Sequence, residues 1–132
     1  MLRIGIVGYS AQKFNEEKAR AIISKIFDDL EEQYGDNIVV VSGLTAIGIP
    51  KLAYEEAKRR GWKTVGIACR KAYEYERFPV DEEIIVGENW GDESETFINN
   101  VDILIRIGGG TQSRKETEMA KKSGKEVIEF EL

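Results

Sequence analysis

The 132-residue sequence contains no histidine and a single cysteine. Without histidine there is no Ser-His triad, no Cys-His dyad and no histidine-ligated zinc. Any acid–base chemistry falls to Asp, Glu, Lys, Tyr or Cys69, and no metal site is expected. One cysteine cannot close an internal disulfide, so the cytoplasm is the expected compartment. No apolar run approaches the length of a membrane span. The run that follows Met1-Leu2-Arg3 and ends at Gly8 is too short for a signal h-region with its flanks, and reads as a strand instead. Positive charge is outnumbered, with 19 Lys and Arg against 24 Asp and Glu, a net charge of −5. That balance argues against a basic face for duplex DNA, so nucleic acid is not an expected partner. A G-x-G-x-x-G fingerprint is also missing, which argues against a hydride-transfer enzyme.

What is present fits a globular chain, 42% apolar and 33% charged. The length suits one domain over residues 1–132, large enough to bury roughly two-thirds of the surface of the unfolded chain. Arg3 to Val7 is an apolar run closed by Gly8-Tyr9-Ser10, a buried strand with its exit turn. Ala19, Ile22, Ile23, Ile26, Phe27 and Leu30 form the stripe of a helix with one buried face, stopped at Gly35. Asn37 to Val41 is a second, β-branched strand. Gly48-Ile49-Pro50 opens another helix, with proline near its first turn where the missing N–H does no harm, and Gly61 ends it. Lys63 to Cys69 reads as a third strand and residues 70 to 79 as an aromatic, charged loop. Asp81 to Val86 (strand), Glu93 to Asn99 (helix), Val101 to Ile107 (strand), Gln112 to Lys122 (helix) and Glu126 to Phe130 (strand) complete the chain. This alternation predicts an α/β fold of three layers, a Rossmann-like domain with a mainly parallel sheet and helices on both faces.

In such sheets the ligand lies at the carboxyl ends of the strands, near the reversal in strand order. Three strand exits are rich in glycine and hydroxyl residues. In the first, Gly108, Gly109 and Gly110 lead into a helix through Thr111, Gln112 and Ser113. Glycine allows close backbone approach, and the free N–H groups at a helix start make an anion site. Thr111 and Ser113 add hydroxyls that could instead cap the helix, and the same residues also fit a plain tight turn. Ser42-Gly43-Leu44-Thr45 is a second small-residue loop entering a helix, equally an ordinary strand-to-helix connection. Gly8, Tyr9 and Ser10 form the third, where Ser10 could donate to a phosphate or ribose and Tyr9 could stack on a base. Glu116, about one turn beyond the glycines, is placed for a ribose contact or a general base, although the helix dipole alone also favours Glu there. Cys69, beside Arg70 and Lys71, is either an activated thiol or a small buried residue. Tyr73, Tyr75, Arg77 and Phe78 could wall a pocket or form a dimer contact. Trp62 and Trp90 read as packing residues.

These turns, in this order, resemble the SMF/DprA–LOG (SLOG) superfamily of Rossmannoid proteins. The superfamily includes the LOG-type "lysine decarboxylase-like" phosphoribohydrolases, the molybdenum-cofactor carriers and DNA-processing protein A. Val41-Ser42-Gly43-Leu44 is similar to the family's second strand exit, and Gly8-Tyr9-Ser10 to its first Gly-Ser turn. Gly109-Gly110-Thr111-Gln112-Ser113 with Glu116 is similar in spacing to its PGGxGTxxE signature. Ile107 stands in place of the signature proline. In one register Gln112 replaces the second-block glycine; in the other a residue is deleted and Glu116 is displaced. The basic pair that the hydrolases carry upstream is replaced by the acidic Gly91-Asp92-Glu93-Ser94-Glu95.

The resemblance implies binding of a small phosphate-containing ligand, a nucleotide or molybdopterin-like molecule, by a carrier or sensor that requires no fixed cofactor. It also implies a homo-oligomer. The alternative is a phosphoribohydrolase that cleaves the N-glycosidic bond of a nucleoside monophosphate with Glu116 as its catalytic carboxylate. The missing basic pair counts against that reading. A single-stranded DNA module is the third, against which the acidic balance counts.

Overall fold

A computed structural model of the chain shows six strands and four α-helices. In order they are β1 (Leu2–Gly8), α1 (Glu16–Tyr34), β2 (Ile38–Ser42), α2 (Gly48–Arg59), β3 (Lys63–Ala68), β4 (Glu82–Ile85), α3 (Ser94–Asn99), β5 (Ile103–Ile107), α4 (Thr111–Lys122) and β6 (Glu126–Phe130). The strands form one sheet in the order β4-β3-β2-β1-β5-β6. Every pair is parallel.

Successive side chains of a strand point to opposite faces, so a strand covered on both sides must be apolar at every position. The four middle strands meet that demand at most positions, with Ser42, Thr64 and Arg106 as buried polar exceptions. Ile4, Ile6, Ile38, Val40, Ile103, Ile105 and Ile107 share one core with Ala19, Ile23, Phe27 and Leu30 of α1 and with Ile49, Leu52 and Ala53 of α2. Val7, Val39, Val41, Val65, Ile67 and Leu104 face the other way, against Phe97 and Ile98 of α3 and Ala120 of α4. The result is the three-layer arrangement that the alternation predicts, with α1 and α2 on one face and α3 and α4 on the other.

The ends of the elements follow local chemistry. Asn15 accepts a hydrogen bond from the Lys18 amide at 3.0 Å and caps α1. Strand β5 begins two residues later than the apolar run suggests. Val101 packs beneath the sheet with the α3 core, and Asp102 is held by the backbone of β1, its carboxylate accepting from the Arg3 amide at 2.9 Å. The loop after β3 contains a short 3-10 turn over Arg70–Glu74. A full helix is therefore absent from the β3–β4 crossover, which leaves that end of the sheet open above the strand ends.

Two contacts tie the fold to the loops above the sheet. Gly48, at φ +72°, lies so close to the exit of β1 that a Cβ would stand 2.4 Å from the Tyr9 carbonyl oxygen, and the neighbouring Ile49 amide donates to that carbonyl at 2.7 Å. Tyr54, wholly buried in α2, donates its hydroxyl to the Gly43 carbonyl at 2.6 Å and to the Val65 carbonyl at 3.0 Å. Burial pushes this phenol far above its usual range, so it remains a protonated donor. Tyr54→Phe leaves two carbonyls short of a donor and is expected to lower unfolding stability by about 1–3 kcal/mol. Phe27→Ala empties the centre of the first core and should lower it by about 3–5 kcal/mol. Urea midpoints at constant m-value measure both; equal losses would contradict the assignment.

Candidate functional site

The chain lays down β2, β3 and β4 on one side of β1 and then crosses back to place β5 on the other. The loops leaving β1 and β5 therefore depart in different directions, and a crevice opens where they part. A cavity of about 540 Å³ occupies that place. Gly8, Ser10, Ser42, Gly43, Gln112, Ser113 and Glu116 all line it, which brings together residues from the three exits singled out in the sequence.

Their hydrogen bonds separate those that hold the walls from those that face the interior. Ser42 is buried and donates to the Ile6 carbonyl at 2.7 Å, tying β2 to β1. Ser113 donates to the Gly8 carbonyl at 3.1 Å and ties α4 to β1. Neither Ser113 nor Thr111 caps α4; Gly110 occupies the cap position and no side chain bonds there. The first backbone donor of α4 with an acceptor is Arg114, bonded to the Gly110 carbonyl at 3.1 Å. The amides of Thr111, Gln112 and Ser113 have no protein partner and carry the positive end of the helix dipole. The start of α2 differs: Ile49 is bonded to Tyr9 and Pro50 has no N–H. The hydroxyl of Ser10, half-buried at the cavity wall, also has no protein partner.

The glycines after β5 shape the turn rather than line the cavity. Gly108 and Gly109 have φ of +60° and +111°. A Cβ on Gly109 would meet Ser113 at 2.7 Å, and one on Gly108 would meet the Tyr9 ring at 2.4 Å. Tyr9 thus lies outside the cavity, stacked on Phe14 with centroids 6.1 Å apart. Gly43 is different, because a Cβ there would meet nothing within 4 Å. No contact inside the protein requires the bare backbone at that position, and the space beside it belongs to the cavity.

Several participants escaped the sequence reading. Arg106, an interruption in an apolar strand, is buried and donates to the Gly108 carbonyl at 2.7 Å. It is itself held by Glu129 at 3.1 Å and Glu131 at 2.9 Å, so β6 and the C-terminal residues fix the glycine turn. Trp90, expected to pack inside, is 46% exposed and stands at the cavity mouth with Tyr75, their ring centroids 6.1 Å apart. Trp62 does pack, against Phe27. Of the aromatic loop Ala72, Tyr75 and Glu76 reach the cavity; Phe78 stacks on Tyr54, and Arg77 pairs with Glu83 and covers Tyr73. Cys69 is fully buried and apart from the cavity, as a small core residue.

Glu93, in the acidic stretch that replaces the basic pair of the hydrolases, also lines the cavity. It is buried, bonded by the Gly91 amide at 2.9 Å and the Gln112 side-chain amide at 3.3 Å. Glu116 is buried too, and its Oε2 accepts from Ser94 at 2.8 Å and Gln112 at 3.4 Å. Neither carboxylate has a basic partner. Burial drives the Glu116 carboxyl above its ordinary 4.5; the Ser94 and Gln112 bonds oppose the shift and the Glu93 charge adds to it.

The folded chain therefore binds a proton at Glu116 more readily than the unfolded chain does. Its contribution to stability is whole below the ordinary value of 4.5 and is lost as pH rises through the folded-state value. Glu116→Gln keeps the Ser94 bond without the charge. The variant should match the wild type near pH 4 and become the more stable protein towards pH 8. Melting curves across that range check this, and a difference that shrinks with rising pH would contradict it.

No protein of curated function matches the chain in sequence. Solved structures do match in shape. The molybdenum cofactor binding protein of the phototrophic bacterium Rippkaea orientalis superposes with a TM-score of 0.80 at 22% identity, over 97% of this chain and 75% of that one. The molybdenum cofactor carrier protein of Chlamydomonas reinhardtii gives 0.78 at 19% identity, again over 97% and 75%. TM1055, a structural genomics target, gives 0.77 at 24% identity over 96% and 72%. At these identities the likeness establishes the fold. The family is shown by the sequence itself, since residues 1–131 match the SLOG cluster4 family, and the chain is a member of that family.

Proposed function

We propose that the cavity binds a nucleotide or a nucleotide-like, phosphate-bearing heterocycle, and that the protein is a carrier or sensor of that ligand. The observation that carries this reading is the open start of α4 beside the cavity. Three amides without acceptors, a positive helix end and the Ser10 hydroxyl form a neutral cradle for phosphate. The bare backbone of Gly43 leaves room for the body of the ligand. Two of the structures similar to this one are described as binding or carrying the molybdenum cofactor, which is in line with such an occupant.

A hydrolytic reading has one observation in its favour. Glu116 and Glu93 are buried carboxyls on the cavity wall, and a pair of carboxyls, one with its pKa raised by burial, is the usual equipment for glycosidic bond cleavage. Against it, the cavity lining contains no lysine or arginine, so no side-chain cation attends a departing or transferred phosphate group.

Melting curves with nucleoside monophosphates separate the outcomes. A ligand at 100 times its Kd should raise the Tm by on the order of 10 °C. Gly43→Ala should leave the Tm of the free protein unchanged or slightly higher and weaken binding at least tenfold by placing a methyl group in the cavity. Chromatography of the same mixtures should show the nucleotide intact. Release of free base that is lost in Glu116→Gln would replace the carrier reading with the hydrolase. A Tm that responds to no phosphate-bearing heterocycle would overturn both.

A further inference from the structure

Three carboxylates, Glu76, Glu93 and Glu116, line the cavity, and no cationic side chain does. A phosphate held at the α4 amides is tolerable because the helix end is positive there. A phosphate pushed further inside would meet like charge. The inner wall therefore suits the part of a ligand that donates hydrogen bonds.

Glu93 and Glu116 are 5% and 6% exposed. Burying a carboxylate is costly unless donors surround it; Glu93 accepts one bond at each oxygen, whereas both donors of Glu116 reach the same oxygen. Oε1 of Glu116 has no donor in the protein, while its Oε2 shares the Gln112 amide with Glu93 at 3.4 and 3.3 Å. Both bonds are long, and they come from an exposed side chain free to swing aside. The Gln112 NH2 group bridges two carboxylates much as an incoming pair of N–H groups would. Much of the remaining lining is apolar. Leu44, Ile67 and Phe97 line the interior, and the rings of Trp90 and Tyr75, 46% and 64% exposed, meet at the mouth. Exposed aromatic faces beside a slot of this kind are platforms for a flat ring.

We propose that the cavity wall at Glu93 and Glu116 is a heterocycle subsite in which the two carboxylates accept the adjacent ring N–H and exocyclic NH2 of a guanine- or pterin-type ring. Trp90 and Tyr75 cover its face, and the phosphate points out to the α4 amides. The inference rests on the reading that this cavity takes a nucleotide-like ligand, and it adds which heterocycles are accepted. Adenine presents an unprotonated ring nitrogen, an acceptor, where guanine and pterin present a donor. Two carboxylates facing that acceptor leave buried groups unpaired, which discriminates strongly.

Calorimetry at pH 7.5 on two matched pairs tests this: GMP against AMP, and 6-hydroxymethylpterin against adenosine. The first member of at least one pair should bind at least tenfold more tightly than the second. The pair with the larger ratio distinguishes a guanine from a pterin source. Glu93→Gln and Glu116→Gln should each reduce the ratio below threefold, with the larger loss falling on the first member of the pair, and circular dichroism melts establish that both variants are folded. If AMP and adenosine bind as well as their partners, or the preference survives in both variants, the subsite is wrong while the nucleotide reading stands. If none of the four compounds binds the wild type, both fall together.

Discussion

The chain turns back across β1 after building the sheet outward through β2, β3 and β4, and the cavity depends on that reversal. Parallel strands deliver all their exits to one edge of the sheet, so the loops after β1, β2 and β5 emerge side by side. Because β5 lies on the far side of β1, its loop diverges from the loop that follows β2. Gly8 marks the point of closest approach before they separate: a Cβ there would lie 2.3 Å from the Ile107 carbonyl oxygen. The hydroxyls of Ser42 and Ser113, bonded to the carbonyls of Ile6 and Gly8, then fasten the neighbouring elements to β1. The walls of the site are thus fixed by backbone geometry and buried hydroxyls, which lends it preorganisation before any ligand arrives.

The electrostatics of the site divide along its length. At the α4 end, positive potential comes only from backbone dipoles, with the glycine turn held in place by Arg106 from below. Arg106 itself is neutralised by Glu129 and Glu131, so its role there is to position the turn. Beside it, Glu93 and Glu116 are buried carboxyls on the cavity wall with no basic partner. A single anion cannot satisfy both regions. A molecule with an anionic tail and a donor-rich ring can, and the two ends together favour a ligand of definite orientation.

Much of this was legible in the sequence because it is written in local chemistry. Continuous apolar runs for strands covered on both faces, glycine after β1, β2 and β5 and an amphipathic stripe in α1 identify the fold and the three exits. Ser42, Gly43, Gln112 and Glu116 reached the site by that route, and the acidic stretch that supplies Glu93 was visible as a departure from the family pattern. What sequence could not convey was contact between distant segments. Thr111 and Ser113 looked like caps because hydroxyls at helix starts often are; only the packing of α4 on β1 shows Ser113 bonded to Gly8. Tyr9 looked free to stack on a base, but the ring turns away to Phe14. Trp90 gave no signal of its own, since its exposure results from two loops meeting at the cavity mouth. Arg106 could not be understood before β6 was known to lie beside β5.

The most direct test of the central claim is a two-dimensional 1H–15N spectrum of the protein titrated with GMP. Phosphate bound at the start of α4 predicts saturable downfield shifts of the Thr111, Gln112 and Ser113 amides, with smaller changes at Ser10 and Gly43. Shifts confined to other surfaces, with those three amides unmoved at saturation, would contradict the account.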